Sequence, residues 1–295
     1  MRRLAWLPLL FSVQGCSGFF YFPSRGLHGW PEHPFEELEF HAEDGVRLHG
    51  LYFPAKGASR GTVVQFHGNA GNVTSHYDSL VWLTERGYAF FTFDYRGYGA
   101  SERVRPSQRG VELDALAAME VAEDLPRACP GRDLVYFGQS LGGAVLLHAY
   151  AAHPNRERVR ALVIEGSFHS YQEVASSVLY RHWLTFPFTG FAYPLVSDEY
   201  APAPTIGSIS PTPLLIVHGT ADRVVPPAFG RAIYELAREP RELWLVRGTE
   251  HLRTWNSEPA RDLLVTKLDE LGVPDLENER GHGASAPQPR RTHER

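Results

Sequence analysis

The chain has 295 residues, 43% hydrophobic and 21% charged, with 29 Lys+Arg against 34 Asp+Glu and a formal net charge of −5. That balance offers no basic footprint for nucleic acid. The apolar content excludes disorder for most of the chain, and the scattered Gly and Pro exclude a collagen-like or coiled-coil one. Length alone suggests about two domains, yet α/β folds of this size often form one.

Arg2 and Arg3 form a basic start, Leu4 to Val13 is apolar, and small residues precede Cys16. Ten apolar residues are too few to span a bilayer, which takes about 20. Residues 1–15 therefore read as a processed leader rather than as fold. The run Val13-Gln14-Gly15-Cys16 resembles a bacterial lipobox. That resemblance implies lipidation of Cys16 and attachment to a membrane of the bacterial cell envelope, at the periplasmic or surface face of the outer membrane. An ordinary signal peptide is the competing reading. Cys16 and Cys129 are the only cysteines, so neither a disulfide framework nor a thiolate metal site is on offer. Cys129 reads as a small buried side chain.

Residues 16–34, punctuated by Pro and Gly, read as a tether. Phe35 to His41 and Val46 to Phe53 follow as strands, with the hairpin signal Asp44-Gly45 between them. Further strands are expected at 62–67, 88–95, 134–139, 161–166, 213–218 and 241–246. They are short apolar runs, as parallel strands covered on both faces should be. Helices fall between them. Val73, Tyr77, Leu80 and Val81 share one face, and so do Val111, Ala115, Ala118 and Ala122. Leu141 to Ala152 is apolar nearly all round. Phe229, Ile233 and Leu236 mark a further helix, and Leu264, Leu268 and Leu271 a last one stopped by Gly272 and Pro274. Alternating strands and helices predict a mostly parallel α/β sheet with helices on both faces and the opening hairpin as its antiparallel edge. The folded domain spans 35–273, interrupted by an aromatic, Pro-rich insertion at about 168–211. The tail at 274–295 is polar and reads as disordered.

The motif Gly138-Gln139-Ser140-Leu141-Gly142 joins a strand to a buried helix. A tight strand-to-helix turn needs glycine at its flanks and lifts the serine hydroxyl clear of the sheet. A serine becomes a useful nucleophile only when a base takes its proton and a third group fixes that base. Asp222, after the strand at 213–218, and His251, after the strand at 241–246, supply that pair in the order Ser, Asp, His. Both lie just past strand C-termini, where ligands collect in open α/β sheets. Glu165, past the preceding strand, is the reserve acid. The Gly-rich bend His67-Gly68-Asn69-Ala70-Gly71-Asn72 can bring the Asn69 amide over the nucleophile, to form an oxyanion hole with the Leu141 amide. A phosphate cradle is the alternative use of such a bend, but the segment has neither G-x-G-x-x-G nor a Walker lysine. His67 itself reads as structural.

His67–Asn72, Phe93-Asp94-Tyr95-Arg96-Gly97-Tyr98-Gly99-Ala100-Ser101, Gly138–Gly143 and His218-Gly219-Thr220-Ala221-Asp222 stand in this order. Together they resemble the small α/β-hydrolase branch that includes eukaryotic protein depalmitoylases and polarity-associated hydrolases of fungi. The likeness runs from about Phe35 to Leu271. It implies an eight-stranded α/β-hydrolase fold, Ser140 as nucleophile, Asp222 as acid, His251 as base, and Asn69 and Leu141 at the oxyanion hole. Depalmitoylases of that branch carry a cluster of N-terminal cysteines where this chain has only Cys16, so substrate identity does not transfer. The serine at the elbow argues against a dehalogenase. The expected activity is hydrolysis of a small acyl ester or thioester without metal or organic cofactor. A serine peptidase or amidase, and a catalytically idle binding lipoprotein, are the other readings. The insertion is read as a cap for an acyl or aryl group, as a loop packed on its own aromatic cluster, or as a membrane contact.

Overall fold

A computed structural model of the chain describes residues 20–271 apart from 27–28, 30, 127–131 and 182–185. The expected leader, Cys16, Cys129, the Gly272 stop and the polar tail lie outside the described residues. Eight strands form one sheet: β1 (Glu36–His41), β2 (Arg47–Phe53), β3 (Gly61–Phe66), β4 (Tyr88–Asp94), β5 (Leu134–Gln139), β6 (Val159–Glu165), β7 (Leu214–Gly219) and β8 (Arg241–Val246). Their spatial order is β1-β2-β4-β3-β5-β6-β7-β8. β2 runs antiparallel to both β1 and β4, and every other pairing is parallel. The hairpin turns at Gly45, whose φ of +82° suits a residue without Cβ. Every residue of β3, β4, β5, β6 and β7 is buried, which is why those segments are dominated by apolar residues.

Among the described residues there are seven α-helices: α1 (Val73–His76), α2 (Gln108–Asp124), α3 (Leu141–Ala152), α4 (Tyr171–Tyr180), α5 (Ala192–Leu195), α6 (Pro227–Leu236) and α7 (Glu258–Glu270). Val111, Ala115 and Ala118 of α2, the apolar body of α3, and Phe229 and Ile233 of α6 pack into one core layer. Val73 of α1, Leu80 to Leu83, and Leu264 and Leu268 of α7 pack into the other. The architecture is that of an α/β-hydrolase, with α4 and α5 inserted between β6 and β7.

Two segments depart from the sequence reading. The helix expected from Val73 through Val81 stops after one turn and continues as 3₁₀ turns at Tyr77–Ser79 and Val81–Arg86. The carbonyl of His76, which an α-helix would offer to Leu80, is taken by Gln65 Nε2 and Ser79 Oγ. The Leu80 amide bonds instead to the Tyr77 carbonyl, three residues back. The second departure is α4, which periodicity did not single out. Its signal was local: Ser170 Oγ caps the helix by accepting from the Glu173 amide, the S-x-x-E pattern of a helix start.

Arg96, just past β4, is buried and closes the antiparallel edge onto the helical layer. Its guanidinium donates to both oxygens of Asp44 in the β1–β2 turn, at 2.7 and 2.9 Å. It also donates to Asp114 of α2, at 2.8 and 2.9 Å, while Asp114 accepts the Arg96 amide. A Cβ on Gly110 would stand 2.8 Å from this side chain, so α2 approaches only because that residue is glycine. Replacing Arg96 leaves the fully buried Asp114 carboxylate without its cation. Arg96→Ala is expected to cost about 3–5 kcal/mol in urea unfolding, whereas Arg47→Ala, which breaks an exposed pair with Glu39, should cost less than about 1 kcal/mol.

Candidate functional site

Ser140 sits between β5 and α3 at φ +52° and ψ −118°, a conformation that non-glycine residues adopt only when their surroundings impose it. Close contacts impose it here. A Cβ on Gly138 would overlap the Gly143 backbone, one on Gly142 the carbonyls of Phe66 and His67, and one on Gly143 the Ser167 side chain. The turn is thus compressed against β3 and the end of β6, and the hydroxyl projects from the C-terminal edge of the sheet.

The structure brings Ser140, His251 and Asp222 together. His251 Nε2 lies 3.1 Å from Ser140 Oγ, and His251 Nδ1 lies 2.7 Å from Asp222 Oδ2. Asp222 accepts only, so Nδ1 carries the proton and the Nε2 lone pair faces the serine. The acid is fixed through its other oxygen, which accepts the amides of Val224 and Val225 at 2.8 and 2.9 Å. Burial raises the Asp222 carboxyl, but bonds from His218, His251 and the Val225 amide outweigh it and hold the group well below the usual carboxylate range. Gly166, at φ +59°, leaves the space this pair needs: a Cβ there would lie 3.2 Å from His251 Nδ1 and 3.3 Å from Asp222 Oδ2.

The loop after β3 passes directly over the serine. A Cβ on Gly68 would be 3.5 Å from Ser140 Cβ and 3.6 Å from Leu252 Cδ1. Among the described residues the amides of Asn69 and Leu141 have no acceptor. The Asn69 side chain is fully engaged. Its Oδ1 accepts from the amides of Phe22 and Ala70 and from the Tyr98 hydroxyl, and its Nδ2 donates to the Phe20 carbonyl. Those bonds were not anticipated. The stretch read as a tether is, over residues 20–26, held against the body, with Ser24 also bonded to Gly71 and Gly99.

A cavity of about 910 Å³ opens at Ser140. Among the described residues, Asn69 and Ser140 are the only polar ones in its lining; Phe20, Phe22, Phe168 and the apolar sides of α4 and α5 make up most of the rest.

A family model described as serine aminopeptidase, S33, matches residues 57–205. The uncharacterized protein YfhR of Escherichia coli K12 is 37% identical over 238 residues, 79% of each chain. The chain belongs to this α/β-hydrolase family. The α/β-hydrolase domain-containing protein WAV2 of Arabidopsis thaliana is 32% identical over 76% of this chain and 74% of its own. Protein bem46 of Schizosaccharomyces pombe is 30% identical over 65% of this chain and 62% of its own. Among solved structures, the esterase Pf2001 of Pyrococcus furiosus superposes with a TM-score of 0.65 at 20% identity, covering 85% of this chain and 96% of that one. The acetyl xylan esterase 1 of Thermoanaerobacterium does so with a TM-score of 0.62, also at 20% identity, covering 84% and 86%. Such identities speak for the shared α/β-hydrolase fold.

Two other candidates within this hydrolase take different places. Glu165 does not reach the histidine. Its buried carboxylate accepts from Gln139 Nε2, the Thr254 amide and Trp255 Nε1, so it ties the residue before the elbow serine to the loop after His251. Gln139 continues the chain to Gln65, which accepts from Thr92, so one polar line crosses β6, β5, β3 and β4. His67 is wholly buried and packed on the rings of Tyr95, His76 and Tyr98; its Nδ1–H donates to the Gly68 carbonyl. Burial first, and then the neighbouring His76, push its imidazole down from 6.5 to about 3. The unfolded chain therefore takes up this proton first as pH falls, and stability is lost from about pH 6.5 down to about 3. Urea midpoints at pH 7, 5 and 4 are expected to fall more for the parent chain than for His67→Phe.

Proposed function

We propose that the chain is a serine hydrolase that cleaves carboxylic esters or thioesters of acyl substrates. The observation that carries this reading is the hydrogen-bonded line Asp222–His251–Ser140 ending in an apolar cavity beside two backbone amides without acceptors. Ser140 Oγ attacks the acyl carbonyl as His251 Nε2 takes its proton, and Asp222 holds the resulting imidazolium in place. The carbonyl oxygen becomes an oxyanion within reach of the Asn69 and Leu141 amides. His251 then returns the proton to the departing alcohol or thiol, leaving an acyl-Ser140 ester. Water, deprotonated by His251, attacks that ester, and the proton passes back to Ser140 as the carboxylic acid leaves. The chemistry uses this chain's own residues throughout.

The name of the matched family raises aminopeptidase action as a second reading. An aminopeptidase holds the cationic amino terminus of its substrate, usually against a carboxylate. Among the described residues the cavity lining offers no acidic side chain, and its apolar walls suit an acyl group. The reading also includes a lipid anchor at Cys16 that keeps the enzyme on a bacterial envelope membrane.

A fluorophosphonate probe is expected to label Ser140, shown by peptide mapping, and to leave Ser140→Ala unlabelled. Asp222→Asn should lower kcat for a soluble acyl ester about 10⁴-fold, because the imidazole loses its orienting partner and correct tautomer. Turnover of aminoacyl anilides in preference to acyl esters would replace this reading with the peptidase one. Absence of labelling in folded protein would leave a binding protein on a hydrolase fold.

A further inference from the structure

Ten large apolar side chains stand exposed among the described residues; five of them line one cavity and three more lie on the inserted segments beside it. Phe22, Val178, Phe191, Leu195 and Val224 line its mouth. Tyr180, Phe186 and Tyr193 lie on the same inserted segments, with the Tyr180 and Phe186 rings 5.1 Å apart. Tyr180 is 63% exposed and Phe186 50%, too much apolar area in one place to be scattered surface residues. Two exposed arginines border the patch. Arg181 donates to the Val224 carbonyl, and Arg223 precedes Val224 in the chain.

The course of the N-terminal chain supplies the second half of the argument. Phe20 lines the same cavity, and residues 20–26 are fixed beside it. Asn69 holds Phe20 and Phe22, while Asn72 Nδ2 donates to the carbonyls of Ser24 and Gly26. Cys16 stands four residues before Phe20. At no more than ~3.6 Å per residue, a group carried by Cys16 stays within about 14 Å of Phe20. An anchor on so short a lead, attached at the mouth rather than at the far side of the sheet, turns the mouth toward whatever holds the anchor.

We infer that the apolar rim is a bilayer-docking face, seated at the hydrocarbon boundary so that the acyl chain of a membrane-borne substrate enters the cavity without crossing water. The inference rests on the acyl-hydrolase reading and on the anchor at Cys16. Aromatic side chains favour this depth in a membrane, where their rings meet both apolar chains and headgroups. Arginines at its border reach anionic headgroups while their stems stay on the apolar side. The substrate class follows: an ester or thioester whose acyl chain is long enough to reside in a bilayer, against one dissolved in water.

Two experiments on the full chain decide it. In a Cys129→Ser background that keeps the lipid on Cys16, an environment-sensitive fluorophore is placed at Phe186→Cys or, as control, at exposed Leu263→Cys on α7, and the protein is reconstituted with phosphatidylcholine–phosphatidylglycerol vesicles. Brominated lipids are expected to quench the label at 186 and not at 263; equal quenching, or none at 186, overturns the docking face. Separately, Tyr180→Ser/Phe186→Ser/Tyr193→Ser should cleave a soluble short-chain ester as the parent does, and a vesicle-embedded long-chain ester about tenfold more slowly. Unchanged turnover of both overturns the inference, and so does equal loss on both. Sedimentation showing a dimer that these substitutions dissociate would assign the rim to a second copy and overturn it as well. A parent chain inert toward the soluble ester would remove the hydrolase reading, while the quenching result still judges the face.

Discussion

The arrangement at Ser140 depends on close backbone packing that only glycine permits. β5 ends against α3 with Gly138 touching the Gly143 backbone, and α3 starts against β3 with Gly142 touching the Phe66 and His67 carbonyls. Those contacts leave Ser140 no conformation but the left-handed one, and that conformation aims its hydroxyl out of the sheet. The rest of the site is arranged around a point fixed in this way. The parallel strands β6, β7 and β8 deliver Gly166, Asp222 and His251 to the same edge, and the glycine opens the gap in which acid and imidazole meet.

Beneath the edge, polar groups hold neighbouring strands in a common register. Thr92, Gln65, Gln139 and Glu165 form a continuous hydrogen-bonded line that ends on Trp255. Each member is buried, so each would cost several kcal/mol if left without a partner. The line thereby connects the residue before Ser140 to the loop that follows His251. Burial raises the Glu165 carboxyl despite its three donors, which marks how dry this layer is.

Much of this was legible in the chain. The eight strands lie within two residues of where their apolar runs placed them, because strands covered on both faces are dominated by apolar residues. The positions of Ser140, Asp222 and His251 followed from chain order and from their place after strand ends. What escaped was set by partners distant in sequence. The Val73 helix breaks because Gln65, eleven residues before His76, captures its carbonyl. The strap at 20–26 looked like a linker because its bonds run to Asn69, Asn72 and Gly99, none of which its own composition reveals. Glu165 had the right position for an acid and the wrong surroundings, since Gln139, Thr254 and Trp255 consume its oxygens.

The polar line and the inserted helices do not share residues. Thr92, Gln65, Gln139 and Glu165 come from the sheet, and the groups that hold Asp222 come from its own loop, whereas α4 and α5 meet the cavity through apolar side chains. The hydrogen-bonded groups and most of the cavity's apolar wall therefore come from separate stretches of the chain, with Val224 and Val225 the residues that serve both. The stretch between β6 and β7 can thus vary in shape without disturbing the hydrogen bonds that join Ser140, His251 and Asp222.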